Sequence, residues 1–364
     1  MFYVRTTLQY HRVVIYRVKA LKGTSMKRFI PVFMGLFTIY SSMIMAAEIT
    51  TLDAHVIETQ QKPSSPLATH VTHSKSSSNG QSYNYSLPVL QQAYYQGIES
   101  IGGTVHLQQG LWAGEPYQPG GNVMPQVMLL NDLIAIGPLT ANNDPMAVVL
   151  LNYSPGGSGQ YLYIAVMAYR HNKLVNIATH YVGDRVRVKG LVIKNHQIIV
   201  DVIQPGKHDP ICCPGDVARH IWILKQDKLV EIPSHKPIVR LTPAILGNTE
   251  WQLESWRYGE PVANNSKISL RYINGHFVGM VDCNNYTITI KPLLPPGSIK
   301  VLGQHAAVTT RTCNTPLAPH RQKRYLEQLT NVTQFTYFAG KLALTYQVNH
   351  HTGVMIFSTL KKQP

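Results

Sequence analysis

Leu246-Gly247-Asn248-Thr249-Glu250-Trp251-Gln252-Leu253 opens the stretch that decides the fold, and Gly279-Met280-Val281-Asp282-Cys283-Asn284-Asn285-Tyr286 closes it. Between them, residues 251–256, 268–273 and 276–280 carry the apolar and β-branched patterning of strands. Asn274-Gly275 separates the last two. A type I′ turn needs positive φ at both central residues, so this dipeptide predicts a tight hairpin. Further strands are expected at 286–290, 299–302, 335–338, 341–346 and 354–358, with Ala339-Gly340 turning the chain. One helix is expected at 319–329. Pro319 suits its first turn, and Leu326 and Leu329 share a face.

This order resembles the META domain of HslJ-type envelope proteins over roughly residues 244–361. The features that carry the resemblance are the opening Leu246–Leu253 segment, Cys283 followed by Asn284-Asn285-Tyr286, and Thr309-Thr310-Arg311-Thr312-Cys313. Tyr325-Leu326-Glu327-Gln328-Leu329 adds the helix, with an acid near its end. The chain departs from the pattern at Asp282, where many relatives have Gly, and in the proline-rich Pro292-Leu293-Leu294-Pro295-Pro296-Gly297. The resemblance implies antiparallel strands with one packed helix, in a protein that supports envelope integrity under stress. Cys283 and Cys313 stand thirty residues apart. A disulfide closing that loop would contribute roughly 3–4 kcal/mol; two buried thiols or a metal pair are the alternatives. Trp251 and Tyr286 read as core.

Upstream, strands are expected at 104–108, 124–133, 146–153, 160–167, 174–181, 185–193, 196–203 and 220–224, after a short helix capped by Ser86. Spacing of about ten residues predicts one antiparallel sheet or a barrel, because parallel pairing needs crossovers for which there is no room. The fold class is therefore mainly β (β-rich α+β). Two domains are expected: a β-rich domain at 85–235, a connector at 236–243 and the META domain at 244–361. Gly156-Gly157-Ser158-Gly159, Gly183-Asp184-Arg185-Val186 and Asp209-Pro210-Ile211-Cys212-Cys213-Pro214 loosely resemble an uncharacterised bacterial exported module.

Residues 26–47 read as a signal peptide. Lys27-Arg28 precedes an apolar run at 29–44, and Ala46-Ala47 offers a cleavage site before Glu48. A membrane anchor is the alternative. No Cys stands at the junction, so the lipobox of a lipoprotein is lacking. A periplasmic or secreted product is expected. Residues 1–25 read as an over-long start, and 48–84 as a flexible linker. The linker holds too few large apolar side chains to offset ordering at roughly 1–2 kcal/mol per residue.

The formal charge of +15 is concentrated at the start: residues 1–47 hold seven Lys/Arg and no acid, leaving 26 basic against 18 acidic residues. The remainder is scattered, which argues against nucleic acid. It fits a solvated surface or peripheral affinity for anionic membrane.

Cys212-Cys213 is the least ordinary pair. Adjacent cysteines can bond only through a strained eight-membered ring. Three readings stay open: a structural turn, a vicinal bridge acting as a hard apolar knob toward a ligand, and a metal site with His208 and Asp209. Asp184-Arg185 reads as a local ion pair or turn bond. The turn at 154–159 is followed by a strand, which is the wrong context for a phosphate loop or a nucleophile elbow. Asp132 and Asn142-Asn143-Asp144 lack the ladder of a calcium loop. No HExxH occurs among the 16 histidines, and His350-His351 marks a polar turn.

No cofactor or metal is expected. The function expected is a non-enzymatic envelope protein that binds a partner or small ligand, or supports the envelope under stress. The rivals are a periplasmic hydrolase assembled from groups such as Ser158, His208 and Asp184, and a secreted effector or inhibitor. A deep pocket gathering titratable residues would favour the hydrolase; a shallow apolar surface would favour binding.

Overall fold

A computed structural model describes residues 83–360 apart from Ser100, Ile211 and Asn265. The expected leader at 26–47 and nearly all of the 48–84 linker lie outside the described residues. Helix α1 (Leu87–Leu90) and strands β1 (Tyr94–Tyr95) and β2 (Val105–His106) form an N-terminal layer. Strands β3 (Leu111–Ala113), β4 (Gln126–Pro138), β5 (Pro145–Ser154), β6 (Tyr161–Arg170) and β7 (Lys173–Asp184) make a first antiparallel sheet in chain order. A second holds β8 (Arg187–Lys194), β9 (Gln197–Gln204), β10 (Asp216–Lys225) and β11 (Lys228–Ile232), with β12 (Val239–Arg240) beside the start of β10.

The third sheet contains β13 (Trp251–Arg257), β14 (Glu260–Pro261), β15 (Ser269–Ile273), β16 (His276–Val281), β17 (Asn284–Pro292) and β18 (Ile299–Val308). Helix α2 (Ala318–Thr330) follows, then β19 (Val332–Phe338), β20 (Lys341–Val348) and β21 (His351–Thr359). Its order is β18-β17-β16-β15-β13-β21-β20-β19, with β14 beside β13. The two edges almost meet: Phe335 N–H donates to Gly297 O at 2.8 Å, and Ser298 bridges Gln334. The result is a near-closed barrel on which α2 packs.

The first sheet explains why β5 and β6 are apolar at nearly every position. Val148, Leu150, Ile164 and Val166 join Val200, Val202 and Trp222 of the second sheet in one core. Ala147, Val149, Leu151, Tyr163 and Ala165 join Leu90, Tyr95 and Leu107 of the N-terminal layer in another. Strand side chains alternate between faces, so a sheet covered on both sides is apolar at odd and even positions alike. Each fully buried Val, Leu or Ile contributes roughly 1.5–3 kcal/mol. The buried Asn176 is satisfied: its amide donates to Val166 O and Ala178 O at 3.0 Å, and its carbonyl accepts from Gln96 N at 2.9 Å.

The mainly β, antiparallel character matches the expectation, as does the packed helix. The upstream strands, which spacing alone places in one sheet, divide into two at Asp184-Arg185, where Arg185 takes φ 52°. Alternation fixes which face of a strand is apolar, not which sheet the strand joins. Residues 228–232 form strand β11 beyond the expected turn, and the expected connector carries β12. Ser86 occupies the cap position of α1 but makes no side-chain cap bond. Asn274 and Gly275 have φ 47° and 85°, as the hairpin predicts.

The sandwich and the barrel share core. Ile203 and Val217 of the second sheet, and Leu241, belong to the barrel's apolar cluster. The β19–β20 turn docks on the sandwich: Gly340 N–H donates to Val188 O at 3.0 Å. Beside it, Lys341 Nζ meets Glu254 at 2.8 Å and Asp132 at 3.1 Å.

Asp282 has φ 54°, a conformation that favours glycine. Here its carboxylate takes Arg321 of α2 in a paired grip at 2.8–3.1 Å, with side chains 7% and 10% exposed. Removing one partner of a buried pair costs about 3–5 kcal/mol. Asp282→Gly should therefore lower stability in urea unfolding by about 3 kcal/mol even though it relaxes the backbone. Adding Arg321→Leu should restore most of that. A neutral Asp282→Gly would contradict this account.

Candidate functional site

The most constrained loop spans residues 205–215, between β9 and β10. Its organiser is Asp209, whose side chain is 5% exposed. One carboxylate oxygen accepts from the N–H groups of Gly206 at 2.7 Å and Gly215 at 2.8 Å. Arg240 of β12 grips the same carboxylate at 2.5 and 3.0 Å and reaches Asp216 at 2.5 Å. Any Cβ on Gly206 or Gly215 would lie 2.6 Å from the guanidinium, so a side chain at either position would displace Arg240 from its grip. Hydrogen bonding from Arg240, assisted by the two glycine N–H groups, holds the Asp209 carboxyl down to about 2.

At the head of this loop Cys213 N–H donates to Pro210 O at 2.9 Å, and Cys212 and Cys213 are disulfide-bonded. Cys212 is exposed and Cys213 half-buried. His208 is exposed, and its side chain engages no hydrogen bond or ion pair among the described residues. Asp209 is thus committed to the loop's own backbone and to Arg240. Among the described residues, no group of three or more His, Cys, Asp or Glu is arranged to hold a metal.

The cystine loop abuts the tip of the β17–β18 hairpin, since a Cβ on Gly215 would lie 2.6 Å from Pro296 Cγ. The tip is a tight fold in which Leu293 N–H donates to Ser298 O at 2.9 Å and Ser298 N–H to Pro295 O at 3.0 Å. It thrusts Leu294 into solvent at 87% exposure. Leu293, Val239 on β12 and Ile238 just before it are exposed as well. The end of the tip is therefore an apolar projection.

The remaining predicted residues are structural in placement. Asp184 accepts from Gln160 N at 3.1 Å and pairs with Arg185, whose guanidinium donates to Ser158 Oγ at 3.3 Å. Together they pin the glycine turn between β5 and β6. Cys283 and Cys313 form the second disulfide. Beside it, the buried Asn284 accepts from Arg311 N at 2.7 Å and Thr309 Oγ1 at 2.9 Å, and donates to Gln322 at 3.0 Å. Tyr286 lies in the core, as does Trp251. The Tyr286 hydroxyl meets Tyr325 at 2.7 Å, and burial pushes both phenols up. A cleft of about 1010 Å³ opens at one end of the barrel beside the Asn274-Gly275 turn. Arg271, Glu250 and Tyr272 are its titratable lining, with no nucleophile–base pairing among them.

Arg240, Asp216 and Leu294 escaped the sequence reading. Arg240 lies 31 residues from Asp209, and no local pattern links them. The available signal was the pair of glycines flanking an acid and a cystine.

The barrel with one packed helix defines the class of module, and the cysteine pair with its asparagine falls at the turn beside that helix. Residues 244–359 match the family model of the META domain. The C-terminal barrel is therefore a META domain. No curated protein matches the chain.

Two measurements follow. The folded pKa of Asp209 lies below its ordinary value, so its stabilisation of the loop is complete above about pH 4 and is lost as pH falls through about 2. The amide resonances of Gly206 and Gly215 should shift together in that window; movement at pH 5–6 would contradict the assignment. Denatured, unreduced protein should take up no iodoacetamide at any of its four cysteines, whereas labelling of the Cys212 peptide would refute the vicinal bridge.

Proposed function

We propose that this chain is a non-enzymatic exported envelope protein that binds its partner through the face built by the cystine loop and the β17–β18 tip. The observation that carries the reading is Leu294, 87% exposed on a tip braced against a loop locked by Arg240. Exposed apolar groups held on rigid backbone lose little entropy on binding and gain from leaving water. Of the residues that could have served hydrolysis, Asp184 and Ser158 are tied to the glycine turn through Gln160 and Arg185, and exposed His208 lies on a different loop. The META match and the leader-like 26–47 segment support an envelope location.

Fractionation of cells expressing the full chain tests this. The protein should be released by osmotic shock, with Glu48 as its first residue. Retention in the cytosol with Met26 still present would contradict export. Hydrolysis of envelope substrates abolished by Ser158→Ala or Asp184→Asn would contradict the non-enzymatic reading.

A further inference from the structure

The β17–β18 tip carries charge as well as apolar surface. Lys291 and Lys300 are directly paired across its neck, one register step below Pro292 and Ile299. Ile299 is buried, so the two lysines point to the opposite, outer face. Both are exposed, and neither makes an ion pair or hydrogen bond among the described residues. Like charges directly opposed across a ladder destabilise it, and an external anion would reverse that sign. The neighbouring loop adds Lys207, also exposed and without an ion pair. The nearby acids, Asp209 and Asp216, are both gripped by Arg240.

We propose that the β17–β18 tip is a membrane-docking element that inserts Leu293 and Leu294 into an anionic lipid bilayer while Lys291 and Lys300 meet the headgroups. This names the partner of the face described above and rests on that reading. The geometry favours a lipid surface over a protein pocket. The tip projects, its most exposed side chain is a leucine at the apex, and its charges form a collar below. At about 3.3 Å per extended residue the lysines lie at most roughly 10 Å from the apex. That matches the depth of roughly 5–10 Å to which interfacial apolar groups enter, and lysine stems are long enough to keep their ammonium groups at the phosphates.

Sedimentation of the purified protein with vesicles tests the proposal directly. It should bind phosphatidylglycerol/phosphatidylethanolamine vesicles, bind phosphatidylcholine vesicles hardly at all, and weaken as salt is raised. Two lysines near a charged leaflet correspond to roughly thirty-fold in affinity, so the double variant K291Q/K300Q should lose about that factor. Leu294→Asp should abolish binding, and Leu294→Trp should bind with a blue shift of its emission on anionic vesicles only. The three side chains replaced are exposed, and removing the paired lysines relieves a repulsion, so thermal melting should not fall in any variant. No binding to anionic vesicles, binding unaltered in both K291Q/K300Q and Leu294→Asp, or a dimer of the protein alone that Leu294→Asp dissociates would each overturn the proposal. The assay needs no cells, so its failure and a failure of export are separate results.

Discussion

One guanidinium sets the geometry of the cystine loop and its neighbours. Arg240 lies on a two-residue strand and holds Asp209 and Asp216 at the same time. The next residue, Leu241, donates its N–H to Gly215 O at 2.8 Å and buries its side chain in the barrel core. The cystine loop, the start of β10 and the barrel are thereby referenced to one point. Arg240 is half-exposed, and ion pairs with exposed partners contribute only about 0–1 kcal/mol. Its importance is positional. Without it the buried Asp209 carboxylate would keep its two glycine N–H donors but lose the cation that balances its charge.

The barrel was the more legible half of the sequence because its signals are local. Asn274-Gly275 specifies a hairpin through backbone conformation alone, and Pro319 with the Leu326/Leu329 spacing specifies a helix and its inner face. The cysteine pairs were legible as chemistry, with several readings open that the structure resolves into two disulfides. What could not be read depends on contacts between distant segments. Val148 and Val149 look alike in sequence, yet one faces the second sheet and the other the N-terminal layer. Asp209 stayed open between a structural turn, a neighbour of a ligand and a metal ligand, because its partner, Arg240, is remote. Leu294 looked like part of a divergent loop, since exposure at a hairpin apex depends on what packs beneath it.

The comparison between cleft and tip bears on function more than the fold does, because one fold serves many activities. The barrel-end cleft has room for a ligand but gathers few groups able to do chemistry. The loop and tip have no enclosure, yet Asp209 anchors the loop, the tip is closed by its own turn bonds, and Gly215 meets Pro296 at the junction. Rigid apolar projection is a property of binding elements. The same rigidity accounts for the two glycines at 206 and 215, where a side chain would displace Arg240 from its grip.

The central claim is that the protein meets its partner through the loop and tip that Arg240 aligns. Site-specific photo-crosslinking in cells expressing the full chain addresses it most directly, with a benzophenone side chain at position 294, at position 271 in the cleft, or at position 158 on the glycine turn. The account predicts efficient crosslinking at 294, little at 271 or 158, and loss of the 294 product when Arg240 is replaced by Ala. Crosslinking concentrated at 271, with 294 silent, would contradict it.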